Sequence, residues 1–138
     1  MFFRQLSILF ALASFALVGC SPDPVNETHT GELATGDSQH PRDQSFYDEY
    51  KFKAAEGWNI TVTMTSDAFD TYLQLRREGA DDSEFLMEND DVVSGNTNST
   101  ITTAAPAGGT YVVWANSLNT NETGPYTVTI SAQPAAAQ

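Results

Sequence analysis

Between Gly31 and Ser131 the chain is written in steps of two. Tyr50 and Phe52 alternate with Lys51 and Lys53, and Ile60, Val62 and Met64 with Thr61, Thr63 and Thr65. Leu73 and Leu75 alternate with Tyr72, Gln74 and Arg76, and Tyr111, Val113 and Ala115 with Val112, Trp114 and Asn116. Tyr126, Val128 and Ile130 alternate with Thr127, Thr129 and Ser131. Successive side chains of a strand point to opposite faces, so this pattern predicts strands with one face in a core and the other in water. The abundance of Thr and Val agrees, because branching at Cβ fits a pleated surface better than a helix. Glu56-Gly57, Glu78-Gly79, Ser94-Gly95-Asn96, Gly108-Gly109 and Gly124-Pro125 punctuate the runs as turns. No 3.6-residue period competes after residue 20. The reading is an all-β, antiparallel β-sandwich of jelly-roll or immunoglobulin-like type with seven to eight strands. Its expected core is Phe52, Ile60, Val62, Leu73, Leu75, Ile101, Tyr111, Val113, Tyr126, Val128 and Ile130.

The first twenty residues follow another logic. Arg4 precedes an uncharged apolar run from Leu6 to Val18, too short for a comfortable membrane span and followed by Gly19-Cys20. The ending Leu17-Val18-Gly19-Cys20 resembles a bacterial lipoprotein signal, which implies cleavage before Cys20 and acylation of that cysteine. Cys20 is the only cysteine, so no intramolecular disulfide competes for it. One acyl chain anchors marginally and several anchor stably, at about 0.8 kcal/mol per buried methylene. Residues 1–19 thus read as a signal peptide and 20–30 as the lipidated cysteine with a polar, proline-bearing tether. Residues 31–131 read as the sandwich and 132–138 as a disordered tail. The expected location is the cell envelope, with the membrane as partner through Cys20. Ser21, in place of an aspartate after the cysteine, resembles the outer-membrane sorting pattern of enteric bacteria.

Without residues 1–19, which hold Arg4 and no acidic residue, 119 residues remain, with 5 basic residues against 18 acidic ones and a formal charge of −13. That length holds one domain. The charge argues against nucleic acid as a partner and against the domain lying flat on anionic lipid.

Several motifs in order carry a family likeness. Gly31-Glu32-Leu33 precedes Tyr47-Asp48-Glu49-Tyr50-Lys51-Phe52 and Asn59-Ile60-Thr61-Val62-Thr63-Met64. Then come Phe69-Asp70-Thr71-Tyr72-Leu73-Gln74-Leu75, Glu88-Asn89-Asp90-Asp91 and Asn98-Ser99, and finally Pro106-Ala107-Gly108-Gly109-Thr110-Tyr111 and Gly124-Pro125-Tyr126-Thr127-Val128. The series resembles the bacterial pre-peptidase C-terminal domain, a β-sandwich module carried by secreted peptidases and similar in fold to clostridial collagen-binding domains. The resemblance implies an accessory, non-catalytic role. No peptidase precedes the module here, so it points to a binding module for a protein or polysaccharide ligand, or to a secreted peptidase's partner in trans, either inhibitor or secretion helper.

No catalytic set assembles in the sequence. His29 and His40 lie outside any apolar pattern, and with Cys20 acylated no Cys/His set remains for zinc. Gly36-Asp37-Ser38 resembles the nucleophile block of a family of lipases and esterases, but the later Asp-x-x-His those enzymes need is absent. A small hydrolase is the remote third class. Calcium is the one cofactor with a case: Asp70, Asn89, Asp90, Asp91 and Asn98 supply hard oxygens on loops that the fold could gather at one end. The alternative is that Asp70 and Asp90 are turn-forming acceptors for backbone N–H groups. Trp58 and Trp114 are either core packing or an exposed aromatic platform for a ligand.

Overall fold

The computed structural model describes residues 19–91 and 95–136; most of the expected leader (1–18) and the end of the tail (137–138) lie outside them. Nine strands and no helix occur among the described residues: β1 (Val25–Leu33), β2 (Ser38–Gln39), β3 (Phe46–Ala54), β4 (Asn59–Thr65), β5 (Thr71–Arg77), β6 (Met87–Asn89), β7 (Ser99–Ala104), β8 (Gly109–Ser117) and β9 (Gly124–Gln133). They form two antiparallel sheets, β1-β9-β4-β7 and β2-β3-β8-β5-β6. The two strands beyond the seven long ones, β2 and β6, are two and three residues long and sit at the edges of the five-stranded sheet. Short edges limit unwanted pairing with other chains.

The inner faces meet as the alternation requires. All eleven residues expected in the core are buried, none above 5% exposed, and Leu33, Phe46, Met64 and Phe69 join them. On the open side, the Tyr126 hydroxyl on β9 donates to Asp48 on β3 and lies 2.6 Å from the Tyr50 hydroxyl. Burial first, then these two partners, push the Tyr126 phenol above its ordinary value. Gly31 is required there, because a Cβ would stand 2.4 Å from the Tyr126 ring. At the opposite pole Gly109 takes φ +147°, and the Tyr111 hydroxyl donates to the Ala107 carbonyl at 2.5 Å, anchoring the turn to the core strand.

Three sequence expectations change. Residues 25–30 are not tether: they form most of β1, paired with β9 from Val25↔Ala132 to Leu33↔Gly124. Pro22 and Pro24 stop just short of this strand, and Val25, Thr28 and Thr30 suit it. The sandwich also runs beyond residue 131: Ala132 is wholly buried, and Gln133 donates its Nε2 to the Val25 carbonyl at 2.7 Å. Finally, β8 is buried on both faces from Tyr111 to Ser117, although its alternation predicts one wet face. The cause is a third layer, described next.

Candidate functional site

Strand polarity sorts the loops into two poles. At the distal pole stand residues 34–37, 40–45, 66–70, 90–91, 95–98 and 118–123, carrying Asp37, Asp43, Asp67, Asp70, Asp90, Asp91 and Glu122 against Arg42. Of the candidate calcium residues, Asp70, Asp90, Asp91 and Asn98 lie here and Asn89 ends β6, and three of their oxygens already accept backbone N–H groups. Asn89 Oδ1 accepts the Thr100 N–H at 2.9 Å, Asn98 Oδ1 accepts that of Ser66 at 3.2 Å, and Asp90 Oδ1 accepts that of Asp91 at 2.8 Å. Among the described residues no group of three or more His, Cys, Asp or Glu side chains could hold a metal ion. Asp70 departs from its turn-forming reading too. Its backbone carbonyl accepts the Leu118 N–H at 2.8 Å, while its buried Oδ1 accepts nothing. Burial, followed by repulsion from Asp91, Glu122 and Asp90, raises the Asp70 carboxyl above the usual range.

The chemically richest surface is the outer face of the five-stranded sheet. The registers Glu49↔Trp114, Gln74↔Trp114, Tyr47↔Asn116 and Tyr72↔Asn116 set these side chains in adjoining rows around β8. Trp114 is 2% exposed. Tyr47 stacks on it at 4.2 Å, the Arg76 guanidinium lies 4.1 Å from its ring centroid, and its indole N–H donates to Glu49 Oε2 at 3.1 Å. Such a cation–π contact contributes about 0.5–2 kcal/mol. Arg76 also pairs with Glu49 and Asp82.

Two segments cover this face. The 40–45 loop closes on itself through His40 N–H to Ser45 O and Gln44 N–H to His40 O, and is tied to the 118–123 loop by the Thr120 hydroxyl bonding to Asp43 O. It brings His40, 1% exposed, edge-on to Trp114. From the other pole, residues 78–86 bring Phe85 against both rings, with the Arg42 guanidinium 5.3 Å above Phe85. His40 Nδ1 accepts the Arg42 N–H at 3.2 Å, which makes Nε2 the protonated nitrogen of a neutral ring. Burial holds its pKa below the ordinary value, opposed by Asp43. Beside them burial, then Glu88, push the Tyr72 phenol up to about 12.

Trp58 and Trp114 are thus both buried, at 9% and 2% exposure, and neither is an open platform. Trp58 belongs to the inter-sheet core, whereas Trp114 centres the covered outer face. The partners His40, Gln74, Arg76 and Asn116 escaped the sequence reading, since period two marks them as solvent-facing or loop residues. A faint signal was present: an unbroken aromatic, aliphatic and amide run at Tyr111–Asn116, unusual for a strand wet on one side.

At the proximal pole Gly19–Asp23 lie along residues 53–56 and 108–110, enclosing a cleft of about 1000 Å³. Cys20 is exposed there.

The chain matches no protein-family model and no curated protein. It is similar in structure to Aeromonas hydrophila PliG, a periplasmic lysozyme inhibitor of g-type lysozyme, at 19% identity and TM-score 0.58, over 91% of this chain and 93% of that one. It is similar to the pre-peptidase C-terminal domain of collagenase from Bacillus anthracis at 20% identity and TM-score 0.58, over 77% and 89%. Salmonella Typhimurium PliG, also a periplasmic inhibitor of g-type lysozyme, matches at 20% identity and TM-score 0.51, over 78% and 87%. What this chain shares with the pre-peptidase C-terminal domain and with both inhibitors is the β-sandwich fold.

Proposed function

We propose that this chain is a non-catalytic, lipid-anchored protein of the bacterial cell envelope whose sandwich binds a protein partner in trans, as an inhibitor of a hydrolase that attacks the envelope. The observation that carries this reading is the end-to-end structural likeness to A. hydrophila PliG, which takes in 91% of this chain and 93% of that one. Acylation of Cys20 would fix the proximal pole at the membrane. The seven acidic side chains of the distal loops would then face away from lipid, where their field favours approach of a cationic protein. In a Gram-negative cell, Ser21 favours the outer membrane.

The test is inhibition of g-type lysozyme, with other lysozymes and a secreted peptidase as controls, by the chain carrying Cys20→Ser for solubility. Near-stoichiometric inhibition of a lysozyme, weakened by added salt, is the expected result. No inhibition and no complex with any of them would overturn the reading. A second reading, partner in trans of a secreted peptidase, draws on the likeness to the B. anthracis collagenase domain; it predicts inhibition or improved secretion of a co-expressed peptidase. Anchoring is tested separately: Cys20→Ala should leave the envelope membranes, and a membrane-bound Cys20→Ala protein of processed size would show that no lipid holds it.

A further inference from the structure

Six buried side-chain atoms among the described residues have no hydrogen-bond partner, and all but Asp70 Oδ1 belong to the layer around Trp114: His40 Nε2, Gln74 Oε1, Arg76 Nε, and both Nδ2 and Oδ1 of Asn116. His40, Gln74 and Asn116 are each at most 1% exposed. Native proteins rarely leave such groups idle, and those that do cluster where something else supplies the partner. The unused set is balanced. His40 Nε2, Arg76 Nε and Asn116 Nδ2 donate, whereas Gln74 Oε1 and Asn116 Oδ1 accept.

We propose that this outer sheet face is a covered recognition site for the acetamido group of an N-acetylated sugar, with the 40–45 loop and residues 78–86 as its cover. This site lies on the sheet face beneath the distal 40–45 loop and goes beyond the protein-partner reading. The ligand class follows from the chemistry. The free amide of Asn116 presents a donor and an acceptor side by side, the complement of another amide. The faces of Trp114 are taken by Tyr47 and Arg76, so the half-buried Tyr47 is the ring that would meet a sugar's C–H groups. A charged ligand is disfavoured, because Arg42 and Arg76 stand among Glu49, Asp82 and Glu88 and no sign dominates. An extended peptide is read through free backbone groups at a sheet edge, whereas Gln74 and Asn116 stand on β5 and β8, inside the sheet. With the cover closed Trp114 is sealed, so entry requires displacement of the 40–45 loop.

The experiment is calorimetric titration of the full chain, extracted in mild detergent, with tetra-N-acetylchitotetraose and with its deacetylated counterpart, alongside thermal unfolding. The acetylated tetramer is expected to bind saturably and the deacetylated one at least about tenfold more weakly, the cost of roughly one lost polar contact. Asn116→Leu and Gln74→Met should each weaken binding by a similar factor; Asn116→Leu should leave the unfolding midpoint unchanged or higher, since both its polar atoms are idle, whereas Gln74→Met also forfeits the Nε2 bond to Glu88 and should lower it slightly. If Asn116→Leu fails to fold, Gln74→Met carries the test. Absence of saturable binding at millimolar sugar, equal affinity for the deacetylated tetramer, or indifference to both substitutions would overturn the proposal. So would saturable binding of an N-acetylated peptide amide without any response to the sugar.

Discussion

The two sheets turn very different backs to the outside. The outer face of the four-stranded sheet is a lattice of Thr28, Thr30, Thr61, Thr63, Thr65, Thr100, Thr102, Thr127 and Thr129, half-buried or exposed, with cross-strand contacts such as Thr63 to Thr100 at 3.3 Å and Thr28 to Thr129 at 3.4 Å. The outer face of the five-stranded sheet is roofed and carries aromatic rings, an arginine and amides in place of hydroxyls. A threonine presents a methyl to its neighbours and a hydroxyl to water, and needs no roof. Trp114 buries far more area than an open face can shelter, so it recruits His40, Phe85 and Arg76. The difference shows that alternation decides which side of a strand faces the partner sheet, and leaves open whether the other side meets water or a third layer.

The sharpest way to break this contrast is to delete the centre of the roofed face. Trp114→Ala removes the ring on which Tyr47, Arg76, His40 and Phe85 all rest, and is expected to cost about 3–5 kcal/mol, as much as a core truncation such as Leu73→Ala. Denaturant unfolding of both variants checks this. A loss below about 1 kcal/mol for Trp114→Ala would mean that the roof is ornamental and the face effectively open.

The roof should also sense acid, through His40. Burial holds the folded-state pKa of His40 below its unfolded value; Asp43, Glu88 and Asp82 pull it up and Arg42 pushes it down. A base with a depressed folded pKa leaves the folded state binding fewer protons than the unfolded one. Stability is therefore complete above the unfolded value near 6.5 and declines as pH falls through it toward the folded value. In His40→Phe this slope between about pH 6.5 and 5 should flatten, read as the unfolding midpoint against pH. An unchanged slope would assign it to carboxylates elsewhere.

How much of this was legible follows from the same contrast. The inter-sheet core was readable because Ile60-x-Val62 or Tyr126-x-Val128-x-Ile130 states the burial of one face outright. The start of β1 was not: Val25–Thr30 is polar and follows two prolines, and only pairing with β9 makes it a strand. The roofed face was illegible for a related reason. His40 and Phe85 come from segments 74 and 29 residues from Trp114, and no local pattern records a contact made over that distance. The oxygen-rich loops read two ways in sequence, because Asn and Asp are the residue types of a cation site and also of backbone acceptors. Here Asp90 Oδ1 takes the next N–H along the chain, while Asn89 and Asn98 take those of Thr100 and Ser66 on other segments, contacts that no local pattern records.

That last point yields a smaller effect at the distal pole. Asp70 has a raised folded pKa, so the folded state carries a penalty at neutral pH that fades as pH falls through the folded value toward the unfolded one. Asp70→Asn should raise the unfolding midpoint modestly at pH 7, with the difference shrinking in acid. Millimolar calcium or a chelator should leave the wild-type midpoint in place. A calcium-dependent rise abolished by Asp70→Asn would instead restore the cation site.

The smallest effect is reserved for the open face. Thr63 lies on β4 between β7 and β9, opposite Thr100 and Thr129, with its hydroxyl bonded to Thr100 and its surroundings half wet. Thr63→Val keeps the branched shape and loses one solvent-shared hydroxyl contact, so its expected cost stays within about 0.5 kcal/mol. Thr127→Ala belongs in the same range, minus a little strand propensity. The comparison with Trp114→Ala is then a matter of nearly an order of magnitude between two mid-strand positions that both point away from the inter-sheet core. If Thr63→Val cost as much as Leu73→Ala, the threonine face would itself be covered in solution, and the place to look for the occupant would be that hydroxyl lattice.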